Sequence, residues 1–221
     1  MDKRHVKDLL YGHVAQIGKA LASPKRLELL ELLSQSPKTV ELLAQETAMD
    51  VKLTSAHLKA LKLARLVEAE RDGKFMVYRL TGDDVANLWV NLRETAAEHV
   101  VQYGADAARL VAQPEKLTSL NRKDLAARAK SGEVIVIDVR PAAEFETAHL
   151  PYAKSMPMGE LKRRLGELPK DTDIVAYCRG PFCVFADEAL QLLRSKGYRA
   201  FKMLDGVNEW LAAGLPVETS A

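Results

Sequence analysis

The chain has very little cysteine. Its 221 residues include only Cys178 and Cys183, and both lie in the single stretch "YCRGPFC". Two cysteines are too few for a disulfide-built scaffold. Long apolar runs are missing as well. The opening "MDKRHVKDLL" has no signal-type apolar core, and nothing later approaches the roughly 18 apolar residues needed to cross a bilayer. These absences point to a cytoplasmic, reduced protein with no membrane partner. There is no internal repeat and no low-complexity linker. The formal net charge of +2 is too small to argue for nucleic acid by itself.

Charge is patterned even though its sum is small. Residues 51–79 carry seven basic side chains against three acidic ones, whereas residues 28–50 carry one against five. The basic stretch is a candidate footprint for phosphate. Apolar spacing up to about residue 112 is helical. "SPKRLELLELLSQ" has Ser23 as N-cap and Pro24 at the first helical position, with Leu27, Leu30 and Leu33 on one stripe. Thr39 caps "VELLAQE" and Asp50 caps "VKLTSAHLKALKLA". Asp72-Gly73 then signals a hairpin inside "RLVEAERDGKFMVYRL". From Thr81 a long amphipathic stretch runs to about Gln113.

After Leu117 the pattern changes. "EVIVIDVR" and "DIVAYC" are near-continuous apolar runs, as expected of parallel strands covered on both faces. They alternate with the helical segments "KDLAARAK", "GELKRRLGEL", "VFADEALQLLRSKGY" and "VNEWLAAG", which argues for an α/β sheet with right-handed crossovers. The expected organisation is a mostly helical winged helix-turn-helix domain over 1–103, a linker or helix extension over 104–116, and an α/β domain over 117–221.

In a winged helix the last of the three helices enters the major groove and the hairpin lies along the backbone. A spacing of three to four through Thr54, Leu58, Leu61 and Arg65 turns Leu58 and Leu61 inward. Lys52, Ser55, Ala56, Lys59 and Lys62 then face outward, with His57 at the edge. The lysines suit phosphates, and Ser55 suits a phosphate or a base edge. Arg71 and Lys74 flank the hairpin tip. Together "LASPKRLELLELL", "SAHLKALKLARLV" and "RDGKFMVYRL" resemble the ArsR family of winged-helix repressors over residues 10–100. That resemblance implies a homodimer built partly on the first and last helices and bound to an inverted-repeat operator in double-stranded DNA. The family's metal-sensing cysteines are absent from "KTVELLA", and "DDVANLWVNLRETAAEH" offers only His99 with scattered acids. A metal effector is therefore not expected in this half. Val51 and Ala56 stand where the family often has long polar side chains, which leaves the operator sequence open.

The two thiols admit three readings. Zinc wants four ligands, usually with a second pair elsewhere; here there is no second pair, and His149 is the only His after residue 117. A permanent disulfide across so short a loop gains little from loop closure and is opposed by a reducing compartment, although a transient one remains open. In the third reading a buried strand delivers Cys178 at its carboxyl end. A Gly-Pro turn follows and leads into a helix, the place where open α/β sheets put their ligands. Backbone amides there stabilise an anion, and a thiolate is one. Arg179 adds positive charge beside it.

"VIVIDVRPAAEFETAHLPYAKSMP", "CRGPFC" and "MLDGVNEWLAAGLPV" resemble the blocks of the rhodanese family of sulfurtransferases across the whole second half. The resemblance implies a small sulfur donor such as thiosulfate or a polysulfide, a persulfide on Cys178, and a thiol or cyanide acceptor. It also implies an active-site loop of Arg179, Gly180, Pro181, Phe182 and Cys183 whose backbone N–H groups, Pro181 excepted, cradle the persulfide. Asp138 and Arg140 would brace the loop, and His149 would make a structural hydrogen bond. Related phosphatases and arsenate reductases place an arginine six positions after the cysteine; Val184 stands there. Cys183 either donates only its amide, the reading slightly preferred, or attacks the persulfide. No cofactor and no metal are expected. The sequence thus points to a DNA-binding regulator, most simply a repressor, that senses or transfers reactive sulfur. Two alternatives stand beside it: a sulfurtransferase dimerised through its first half, and a constitutive repressor with an inactive rhodanese module.

Overall fold

A computed structural model describes residues 2–110 and 117–220. The chain divides into two compact units, one up to Trp89 and one from Val90 onward. The division falls inside a helix. The stretch expected as a linker, 104–116, is helical as far as Leu110, and its remainder lies outside the described residues, as does the expected helix end near Gln113.

The first unit begins with α1 (Lys3–Leu21) and α2 (Pro24–Leu33). The short strand β1 (Lys38–Thr39), α3 (Val40–Glu46), α4 (Val51–Leu63), β2 (Val67–Asp72) and β3 (Phe75–Leu80) follow, and then the start of α5 (Asp83–His99). Pro24 opens α2 as expected, but the Ser23 side chain makes no capping bond. Thr39 and Asp50 do cap, accepting from Leu42 N at 3.2 Å and Leu53 N at 2.7 Å. The core stripe of α2 is wider than the expected Leu27–Leu30–Leu33 line. Leu29, Leu30, Leu32 and Leu33 are all buried and Leu27 only half so, because α2 is packed on more than one side. Leu58 and Leu61 turn inward fully. Arg65 does not continue the helix: α4 ends at Leu63 and Arg65 adopts a left-handed φ of 58°. The wing is an antiparallel hairpin in which Asp72 faces Phe75 across a two-residue turn. Gly73, at φ 57°, supplies the left-handed turn residue. β1 completes the sheet by pairing with β3.

The expected long helix from Thr81 is broken. α5 ends at His99, and α6 (Val101–Leu110) restarts after Val100. Two adjacent β-branched residues, Val100 and Val101, mark the break, and their crowded side chains disfavour helix.

The second unit carries a parallel sheet of order β5-β4-β6-β7. Its elements are α7 (Arg122–Ser131), β4 (Val134–Asp138), α8 (Ala142–Thr147), β5 (Lys154–Ser155), α9 (Met158–Arg164), β6 (Asp173–Tyr177), α10 (Phe185–Ser195), β7 (Ala200–Lys202) and α11 (Val207–Ala212). The period of two sorts the strands between two cores. Ile137, Ile174, Ala176 and Cys178 face the layer of α9 and α10. Val134, Val136, Val175 and Tyr177 face the layer of α7 and α11. Both faces are covered, as the continuous apolar runs required.

Candidate functional site

β6 is a central strand, and its carboxyl end delivers Cys178 at the sheet edge. Cys178 is 2% exposed. The loop then turns through Gly180, whose φ of 137° is open to glycine but strained for other residues, and enters α10 after Val184. The loop start is clamped from outside by Gly206. A Cβ there would lie 2.6 Å from the Cys178 carbonyl oxygen and 2.9 Å from the Arg179 carbonyl carbon. Glycine is therefore required by close approach, not by its backbone angles.

Beneath the loop sits a buried carboxylate. Glu209 accepts from Gly206 N at 2.6 Å and from Arg93 Nη1 at 2.7 Å. Its oxygens lie 3.3 and 3.4 Å from where a Cβ on Gly180 would be. Phe182 packs against Tyr103 of α6, ring centroids 6.2 Å apart. At the far end of the loop Lys202 Nζ lies 2.6 Å from the Asp187 carboxylate and 3.5 Å from the Cys183 carbonyl oxygen.

Asp138 and Arg140 act on the strand end. Asp138 accepts from the Arg140 guanidinium, from Arg140 N and, at 2.6 Å, from the Tyr177 hydroxyl, and all three side chains are buried. Tyr177, the residue before Cys178, also accepts from Leu150 N at 3.1 Å. Burial and the Asp138 charge push the Tyr177 pKa well above the usual tyrosine value. Burial works against the Arg140 charge, but the Asp138 carboxylate outweighs it and the Arg140 pKa stands raised. His149 makes a local bond, Nδ1 to Phe145 O at 2.8 Å, and stacks on the Phe145 ring.

Two details of the loop differ from expectation. The Arg179 charge does not stand open beside the thiol. Its guanidinium is spent on Glu144, with Nη2–Oε1 at 2.6 Å and Nε within 3.1 Å of both carboxylate oxygens, because a buried arginine needs a paired counter-charge. The Cys183 amide is not free for an anion either; it donates to Gly180 O at 3.1 Å. The Cys183 side chain instead meets Cys178, and the two are joined as a disulfide with Cα atoms 6.3 Å apart. Among the described residues no cluster of three or more His, Cys, Asp or Glu is placed to hold a metal.

In the first unit Lys52, Ser55, Ala56, Lys59 and Lys62 are exposed along one side of α4, with His57 half-buried at its edge. The Ser55 hydroxyl donates back to Val51 O at 2.8 Å, so its proton is already given to the helix. Arg71 and Lys74 are exposed at the wing. Glu144, Tyr177, Lys202, Glu209 and Arg93 escaped the sequence reading as working parts of the loop. One signal was available for Glu209: a carboxylate three residues after Gly206 at a helix start, which is the capping-box spacing.

Two families match separate parts of the chain. Residues 23–69 match the bacterial regulatory proteins of the arsR family, and residues 121–213 match the rhodanese-like domain. Over 215 residues the chain is 43% identical to a Mycobacterium tuberculosis protein named HTH-type transcriptional regulator Rv0324; the match spans 97% of this chain and 94% of that one. Over 90 residues, 40% of this chain and 82% of the other, it is 33% identical to a sulfurtransferase of Allochromatium vinosum. A solved Mycobacterium bovis fragment, described as a homodimeric winged helix-turn-helix DNA-binding domain, is 43% identical and covers 45% of this chain and 91% of its own, at TM-score 0.42.

Proposed function

The chain belongs to the ArsR family of transcriptional regulators, in a form that carries a rhodanese-like domain, and from that premise we propose that sulfur loading of Cys178 sets its affinity for an operator. The observation that carries the proposal is Cys178 itself. It is a buried cysteine at the carboxyl end of a central parallel strand, bonded to Cys183 in a loop clamped by Gly206, on the same chain as the basic face of α4. A strand-to-helix turn of this kind stabilises a sulfur anion through its backbone, so no neighbouring histidine base is needed. The donor is a small sulfane-sulfur compound and the acceptor a thiol.

Lys52, Lys59 and Lys62 neutralise phosphates, with Arg71 and Lys74 doing so from the wing. A second copy of the chain is the natural cover for α1, where Leu9, Leu10, Tyr11 and Val14 stand exposed. The homodimer then reads an inverted repeat. A tenfold change in operator occupancy needs only about 1.4 kcal/mol of coupling between the two sites.

The test uses the full chain and a duplex selected from a random pool. Binding is followed by fluorescence anisotropy with and without a polysulfide donor, for the wild type and Cys178→Ser. We expect the donor to shift wild-type affinity and to leave Cys178→Ser unchanged. A wild type whose affinity ignores sulfur refutes the sensing role. Turnover without selective DNA binding would instead make the chain a plain sulfurtransferase.

A further inference from the structure

We propose that Cys183 is a second reacting residue of the loop, a resolving thiol that reduces the sulfur carried by Cys178 and releases it as hydrosulfide. The inference rests on the reading of Cys178 as a sulfur-loading nucleophile. Two roles are open to a cysteine at this end of the loop: lending its amide to the bound anion, or reacting through its thiol. The amide role is closed, since Cys183 N already donates to Gly180 O at 3.1 Å. The thiol role is the one built. The Cys178 and Cys183 sulfurs are bonded to each other, and the Cα separation of 6.3 Å lies within the range a disulfide spans.

The rest of the loop holds this arrangement in place. Gly206 packs on the Cys178 carbonyl at one end. Lys202, tied to Asp187, reaches the Cys183 carbonyl at the other. Both cysteines are thus anchored through their backbones, and the two sulfurs meet between these anchors.

The step balances as follows. The donor's outer sulfur is transferred to the Cys178 thiolate, giving a persulfide on Cys178 and releasing the donor's remainder, sulfite in the case of thiosulfate. The Cys183 thiolate then attacks the inner sulfur, which is the Cys178 Sγ it already abuts. A bond forms between the two Sγ atoms, the bond to the outer sulfur breaks, and that sulfur leaves with the electron pair as hydrosulfide. Cys178 and Cys183 are together oxidised by two electrons and the sulfane sulfur is reduced by two. Hydrosulfide is a weaker base than an alkyl thiolate, so it is the better leaving group.

Resetting requires an external thiol reductant, and exposure decides where it enters. Cys178 is 2% exposed, whereas Cys183 is half-buried beside the exposed Val184. A reductant thiol attacks the Cys183 sulfur, expelling the Cys178 thiolate; a second reductant thiol then attacks the reductant's sulfur in that mixed disulfide, expelling the Cys183 thiolate and forming the reductant's own disulfide. The loop therefore has three distinct covalent states: dithiol, persulfide and disulfide.

The experiment uses the full-length chain, reduced and freed of reductant, treated with thiosulfate. Sulfite, hydrosulfide and the intact mass are followed in the wild type, Cys183→Ser and Cys183→Ala. We expect both variants and the wild type to release sulfite. The wild type alone then releases an equal amount of hydrosulfide and ends two hydrogens lighter than the reduced chain. The variants retain the added sulfur on Cys178. A wild type that releases sulfite but keeps a stable persulfide overturns the resolving role while leaving Cys178 as the sulfur carrier. Absence of sulfite from all three overturns the reading of Cys178, and the resolving role with it.

Discussion

The guanidinium of Arg93, on α5, donates to the carboxylate of Glu209, on α11, at 2.7 Å, with side chains 5% and 2% exposed. The same carboxylate holds Gly206 N and lies under Gly180, so Arg93 is tied through it to the loop that follows Cys178. Removing one partner of such a pair strands a buried charge. Arg93→Met is expected to cost about 3–5 kcal/mol in chemical denaturation. Arg93→Met combined with Glu209→Gln should cost less than the sum of the two single changes. Sulfur loading of Cys178 should slow in the single variant, read as the rate of sulfite release from thiosulfate.

Gly206→Ala tests the clamp. The added Cβ would fall 2.6 Å from the Cys178 carbonyl oxygen, so the loop start has to move. A misplacement of about 1 Å at a reacting group costs on the order of a hundredfold in rate. We expect that loss in single-turnover sulfur transfer, with circular dichroism and DNA affinity close to wild type.

Alkaline pH tests the brace behind the loop. Burial first, and then the Asp138 charge, raise the Tyr177 pKa above its ordinary value. A group with a raised folded pKa contributes stability that is complete below the unfolded value, about 10 for tyrosine, and is lost as pH rises through the folded one. Wild-type stability should therefore fall above about pH 10. Tyr177→Phe should show a shallower alkaline fall. At neutral pH it should be about 1–3 kcal/mol less stable, because the Asp138 carboxylate and Leu150 N each lose a partner.

Salt dependence tests the basic face. Each of Lys52→Ala, Lys59→Ala and Lys62→Ala should weaken binding to selected and unselected duplexes alike. Each should also lower the slope of log affinity against log salt by about 0.9. Lys130→Ala, on α7 of the second unit, is the control and should leave the slope unchanged.

Local features are legible in the order of the residues: the two halves, the caps at Thr39 and Asp50, the hairpin at Gly73, and the delivery of Cys178 at the end of a doubly covered strand. Each of these follows from periodicity or turn chemistry within a few residues, which the chain carries in its order. The strands β1, β5 and β7 were not legible, because two or three residues show no period and exist only where a neighbouring strand supplies hydrogen bonds. The rest depends on contacts between residues far apart in the chain. Arg93 meets Glu209 across 116 positions, and Arg179 turns to Glu144 across 35. Gly206 needs the absence of a side chain because the backbone of Cys178 and Arg179 lies against it. Cys183 needed the same information. Its spacing from Cys178 left amide and thiol roles open, and only the path of the loop between β6 and α10 turned the amide to Gly180 and the sulfur to Cys178. Side-chain direction at the end of a turn depends on everything packed around it, and no short stretch of sequence encodes that.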